Sequence, residues 1–153
     1  MKKTVYKKLN QIQKKLVCSA IKMLPTAYNP YSHFAVGAAL LSSNNKIITG
    51  SNVENASYGL TICAERSALV RANAEGIRLI KKIAIVGQTA EKITGPCGAC
   101  RQMIFEAAQI SNQNIEIIMS DTKKGKVVIA KIEELLPLAF GPKNLKVNLK
   151  KYR

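Results

Sequence analysis

Apolar residues recur at spacings of three and four from Val5 through Leu9, Ile12, Leu16 and Ala20 to Met23. That period predicts an amphipathic helix over residues 4–23, with Lys7, Lys14, Lys15 and Lys22 on its opposite side. Cys18 falls among those lysines and reads as a spare thiol. Pro25 and the Asn29-Pro30 pair end the helix. Residues 34–41 and 46–49 then read as two strands joined through the turn residues 42–45, a hairpin. Residues 63–75 form an alanine-rich helix closed by Gly76. Ile83, Ala84, Ile85 and Val86 make an unbroken apolar run in 82–87, the mark of a strand buried on both faces. A second core helix is expected over 97–109, with Cys100, Met103, Ile104, Ala107 and Ala108 as its inner stripe. Strands at 115–119 and 127–130 flank a turn at 123–126, and a short helix at 132–136 precedes Pro137.

This order predicts an α/β fold: a mixed five-stranded sheet with helices on both faces, a three-layer α/β/α sandwich. A length of 153 residues, with 47% hydrophobic, suits one domain spanning 1–153. Residues 143–153 read as a loosely held basic tail. The longest apolar run, 34–41, falls far short of the ~20 residues of a membrane span. Lysines interrupt the first 22 residues, which leaves no stretch for a secretory signal. A cytoplasmic location is therefore expected, and cysteines kept reduced there point to metal or catalytic chemistry. Lys and Arg number 24 against 9 acids, a net charge of +15. That excess invites a nucleic-acid partner. Solvated surface lysines are the favoured reading, because Trp is absent and aromatics are 5% of the chain.

Three of the four cysteines carry the chemistry. Cys97 and Cys100 in Pro96-Cys97-Gly98-Ala99-Cys100 lie on one helix face, and Cys63 opens the preceding core helix. If the two helices run side by side on one sheet face, three thiolates converge where two helix dipoles are positive. Neither Cys18 nor His33 has the spacing of a fourth ligand. Three protein ligands and an open position describe a catalytic zinc site rather than a structural one. Such a site needs a proton shuttle that is not a ligand, and Glu65 stands two residues after Cys63. Three thiolates leave the site net negative, so a cation beside the sulfurs is expected; Arg66 is the better candidate and Arg101 the other.

Cys63-Ala64-Glu65 with Pro96-Cys97-x-x-Cys100 resembles the signature of the zinc-dependent nucleoside and nucleobase deaminases in its three-cysteine form. The segments at 31–40, 52–66, 96–102 and 135–142 look like the small cytidine deaminases, over nearly the whole of residues 30–145. The resemblance implies one Zn2+ per subunit on Cys63, Cys97 and Cys100, with Glu65 moving protons and Arg66 neutralising a ligand sulfur. It implies that Asn52 and Glu54 bind the ribose, chiefly its 3′-hydroxyl, that Phe34 packs on the pyrimidine and that the Ala64 backbone contacts the base. Phe140 matches an aromatic that helps close the pocket, and Tyr58 lies in a matching segment. Family members of this size are usually homotetramers with pockets completed across subunits. The implied reaction is hydrolytic deamination of cytidine and deoxycytidine in pyrimidine salvage. A buried carboxylate at Glu54 would suit sugar hydroxyls and repel a phosphate, which favours a free nucleoside. A polynucleotide deaminase or an antibiotic cytosine deaminase would share the zinc core.

Overall fold

The computed structural model describes residues 1–89 and 92–153. Its sheet has six strands: β1 (Lys2–Val5), β2 (Val36–Ser42), β3 (Ile47–Ser51), β4 (Ile80–Gly87), β5 (Glu116–Ser120) and β6 (Lys126–Lys131), in the spatial order β1-β6-β5-β4-β2-β3. β4 and β5 run parallel, and the other neighbouring pairs are antiparallel. The helices are α1 (Gln11–Lys22), α2 (Ala64–Ala74), α3 (Gly98–Ser111) and the short α4 (Ile132–Leu135). The predicted hairpin is β2–β3, and the strand predicted to be buried on both faces is β4.

Six strands replace the expected five because the start of the chain is not helical. Lys2–Val5 pairs with β6, from Lys2 opposite Ile129 to Val5 opposite Lys126. Tyr6–Lys8 is a 3-10 turn, and α1 begins only after Asn10. The Asn10 side chain accepts from Gln13 N at 2.9 Å, and Gln13 Oε1 accepts from Asn10 N at 3.1 Å. That reciprocal cap sets the helix start. The Val5–Leu9 spacing imitates a helical stripe across a strand and a turn.

Side chains alternate between the two sheet faces. Ala39, Leu41, Ala84, Val86, Ile118 and Val127 pack with Leu16, Val17 and Ala20 of α1. Ala38, Leu40, Ile83, Ile85, Ile117 and Met119 form the other face, under Ala64, Ala68 and Ala72 of α2 and Ile104, Phe105 and Ala108 of α3. The helices thus lie on both faces, as expected. The placement of α2 and α3 follows from handedness. β3 and β4 are parallel with β2 between them, and β4 and β5 are parallel neighbours. Two right-handed crossovers stepping the same way along a sheet put both helices on one face. Both helices then start at the carboxyl ends of their preceding strands, where open α/β sheets bind ligands. α2 sits close to β3. A Cβ at Gly50 would stand 2.5 Å from Ala68 N, so the sheet has room there only for glycine.

The last residues are docked rather than loose. Leu149 is buried, Arg153 Nε donates to Ile110 O at 2.9 Å, and Arg78 Nη1 donates to Tyr152 O at 3.4 Å. Among the described residues, no helix is long and apolar enough to cross a membrane.

Candidate active site

Cys63 is the residue that precedes α2, and Cys97 the one that precedes α3. Helix starts usually carry a side chain that caps a free N–H, yet neither thiol makes a capping bond. Both sulfurs instead turn toward Cys100, in the first turn of α3. Cys63 Sγ lies 3.8 Å from Cys97 Sγ, Cys97 Sγ lies 3.3 Å from Cys100 Sγ, and all three fall within 4.8 Å of one another. Sulfurs bound tetrahedrally at ~2.3 Å from zinc are about 3.8 Å apart, so the trio is near the spacing that one ion requires. Among the described residues these three form the sole cluster of metal-ligating side chains. Cys18 lies across the sheet in α1, 3.2 Å from the Tyr6 hydroxyl.

The electrostatics favour a thiolate here. The Cys100 thiol pulls Cys63 down to about 5, against burial, and Cys97 and Arg66 act in the same direction. Cys100 is pushed up by that same contact and by burial. Arg66 tests the fit of a metal. Its Nη2 donates to Thr61 O, but its Nε is buried with no hydrogen-bond partner. A buried guanidinium N–H left free beside a thiol cluster suits a ligand set carrying more negative charge than a dication balances. Arg101 is spent elsewhere, with Nε on Pro96 O at 2.8 Å and Nη1 on Leu135 O at 3.3 Å. Glu65 is 3% exposed. Burial, and then the charge of Cys63, push its carboxyl up to about 7.

Phe34, Asn52 and Glu54 gather at the same sheet end, because β2 starts where β3 and β4 finish. Val36 pairs with Gly87, and Gly37 with Ser51. Phe34 is half-buried, its ring against Gly87, where an added Cβ would come within 3.0 Å of Cζ. Asn52 is buried. Its Oδ1 accepts from Val36 N at 2.8 Å and its Nδ2 donates to Phe34 O at 2.9 Å. Glu54 is half-exposed rather than buried, because it follows the end of β3 on a surface loop. Its Oε2 accepts from Tyr31 N at 2.9 Å and Ser32 N at 3.2 Å, and its Oε1 from the Ser32 hydroxyl. Those bonds, the hydroxyl's first, hold its pKa below the usual carboxylate value. Ala64 is fully buried as the first residue of α2.

A family model, the zinc-binding region of cytidine and deoxycytidylate deaminases, matches residues 10–115. The chain belongs to this deaminase family. A cytidine deaminase of Halalkalibacterium halodurans is 42% identical over 130 residues, 85% of this chain and 95% of that one. One from Sporosarcina psychrophila is 40% identical over 131 residues, 86% of this chain and 93% of that one. The crystal structure of cytidine deaminase from Burkholderia pseudomallei superposes with a TM-score of 0.77 at 40% identity, covering 86% of this chain and all of that one. The zinc-binding region of the family spans all three cysteines, and zinc is the ion that the cluster is built to hold.

Two expected pocket residues of the deaminase are placed differently. Tyr58 is 73% exposed and packs edge-on to Tyr31, ring centroids 5.9 Å apart, at the rim beside Glu54. Phe140 is not brought to the cysteines. It is 61% exposed and lines a separate cavity of about 640 Å³ with Leu69, Met103, Leu145 and Val147. Sequence reading missed Ser32, Thr61 and Gln88, whose Oε1 accepts from Ala35 N at 2.8 Å. Ser32 carried a signal, since a small hydroxyl residue in an Asn-Pro turn often bonds nearby groups. Thr61 acts through its carbonyl, which no side-chain pattern reveals.

Proposed function

We propose that this chain hydrolyses cytidine and deoxycytidine to uridine and deoxyuridine with release of ammonia, a step of pyrimidine salvage. The observation that carries the reading is a trio of thiols and a buried carboxyl meeting at the starts of two helices. Cys63, Cys97 and Cys100 hold one zinc ion. Zinc, when bound, supplies the Lewis acidity that makes water a nucleophile near neutral pH. Glu65, its carboxyl raised by burial to about 7, would give a proton to the base nitrogen N3, regain one from the attacking water, and pass that one to the departing amino group. Arg66 offsets the charge of the sulfurs through its unpaired Nε. The Ala64 backbone meets the base and Phe34 packs on the ring. Asn52 and Glu54 take the ribose 3′-hydroxyl. A carboxylate at that position disfavours a 5′- or 3′-phosphate, so a free nucleoside is the substrate rather than a nucleotide or polymer.

We place the enzyme in the cytosol, where its four free cysteines stay reduced. We propose a homotetramer. Leu138, Tyr58, Leu60 and Phe140 are exposed apolar groups that such an association would cover. Phe140, which faces a cavity that the cysteines of its own chain do not line, would then serve a neighbouring subunit.

The decisive experiment follows cytidine by ultraviolet absorbance before and after chelation, with zinc measured on the same samples. The reading requires turnover that tracks zinc at one per chain. Zinc-loaded protein that leaves cytidine intact overturns it. The +15 charge favours testing RNA in parallel. Deamination of RNA without cytidine turnover would move the substrate to a polynucleotide.

A further inference from the structure

The segment Tyr31–Phe34 makes an unusual set of bonds. His33 holds a left-handed backbone, φ 55°, and its N–H donates to Asn29 O at 3.1 Å. That kink aims the Tyr31 and Ser32 N–H groups and the Ser32 hydroxyl at one carboxylate, Glu54. The same hydroxyl oxygen accepts from Phe34 N at 3.1 Å. Phe34 O in turn accepts from Asn52 Nδ2. A single hydroxyl therefore links the three side chains assigned to the nucleoside: Glu54 directly, Phe34 through its N–H, and Asn52 one bond further on.

We propose that Ser32 is a positioning residue, whose hydroxyl orients the Glu54 carboxylate so that one oxygen lobe faces the sugar 3′-hydroxyl. The proposal rests on the assignment of Glu54 to the ribose. Chemistry supports it in two ways. A carboxylate offers about four acceptor directions. Three are taken from the loop side, which fixes the plane of the group and leaves one direction for a hydroxyl donor. Ser32 is also exposed and packs in no core, so its replacement by alanine removes no buried apolar contact. Glu54 faces no lysine or arginine among its bonded partners, so these neutral donors fix its orientation; they and the His33 charge lower its pKa further.

The test compares Ser32→Ala, Ser32→Thr and, separately, Glu54→Gln, using zinc-loaded enzyme with cytidine and 3′-deoxycytidine. Ser32→Ala should raise KM for cytidine about tenfold, the size of one hydrogen bond to a charged group, with kcat changed less than about twofold. Its KM for 3′-deoxycytidine should not move. Ser32→Thr, which keeps a hydroxyl, should restore the cytidine KM. A rise that is equal for both nucleosides, or no rise at all, overturns the role of Ser32. Glu54→Gln tells the two ideas apart. If it abolishes the preference for cytidine over 3′-deoxycytidine while Ser32→Ala does not, only the Ser32 proposal fails. If it leaves that preference intact, the assignment of Glu54 to the ribose fails and the Ser32 proposal fails with it.

Discussion

Glu65 has two properties that seldom occur together: it is nearly sealed from water and it lies in the first turn of a helix. The helix start favours the anion, but burial outweighs it and leaves the carboxyl protonated up to about pH 7. Glu65→Gln keeps the volume and loses the proton transfer. It should cut turnover by about 10²–10⁴-fold while zinc content stays at one per chain, read by metal analysis beside the cytidine assay. Arg66→Ala should weaken zinc retention under chelator challenge, because the charge facing the sulfurs is gone; Arg101→Ala should not, because its bonds run to Pro96 and Leu135. The sequence shows the thiols, Glu65 and Arg66 plainly, since each sits within three residues of a motif cysteine. It does not show that Glu54 is half-exposed or that Ser32 holds it. Those facts depend on a loop fold that one left-handed residue, His33, decides.

The helices that carry the site are held by the sheet, and two contacts measure how firmly. The Ala64, Ala68 and Ala72 stripe lets α2 settle onto β3 over Gly50. Gly50→Ala pushes a methyl into the α2 backbone and should cost about 1–3 kcal/mol by denaturant unfolding, with weaker zinc binding because Cys63 moves with the helix. On the other face, Glu116 ties α1 to the sheet: its Oε1 accepts from Gln13 Nε2 at 3.0 Å and from Lys82 Nζ at 2.7 Å. Burial alone would raise its pKa, but the bonds from Lys82 and Gln13 prevail and lower it. A proton therefore binds Glu116 less readily in the folded state than in the unfolded one. The carboxylate stabilises above the unfolded pKa of about 4.3, and that contribution is lost as pH falls through the lower folded value. Glu116→Gln should cost about 1 kcal/mol at pH 7, and its melting curve should merge with that of the parent in acid. Helices and central strands were legible because their periods are long and their interiors continuous. β1 was not, since four residues carry too little alternation to outweigh an apparent helical spacing that runs across them.

The protein as a whole is shaped by charge and by closure of the chain ends. Its 24 basic residues against 9 acids leave most lysines without an ion-pair partner among the described residues. Chains this basic repel one another, so the proposed tetramer would have to rest on the exposed apolar groups. Sedimentation should give the mass of four chains, and added salt should strengthen the assembly rather than dissolve it. A monomer at all salt concentrations would contradict the tetramer. Composition made the charge evident, but not that residues 143–153 fold back onto α3, because that docking relies on the single buried Leu149 and on backbone acceptors. The chain begins as the outermost ribbon of its sheet, lysine-studded, with its amino group held by Glu134. Those few residues cover the rim of β6. Clipping them would bare a row of unpaired amides, and the trimmed protein would be prone to stack edge to edge into fibres.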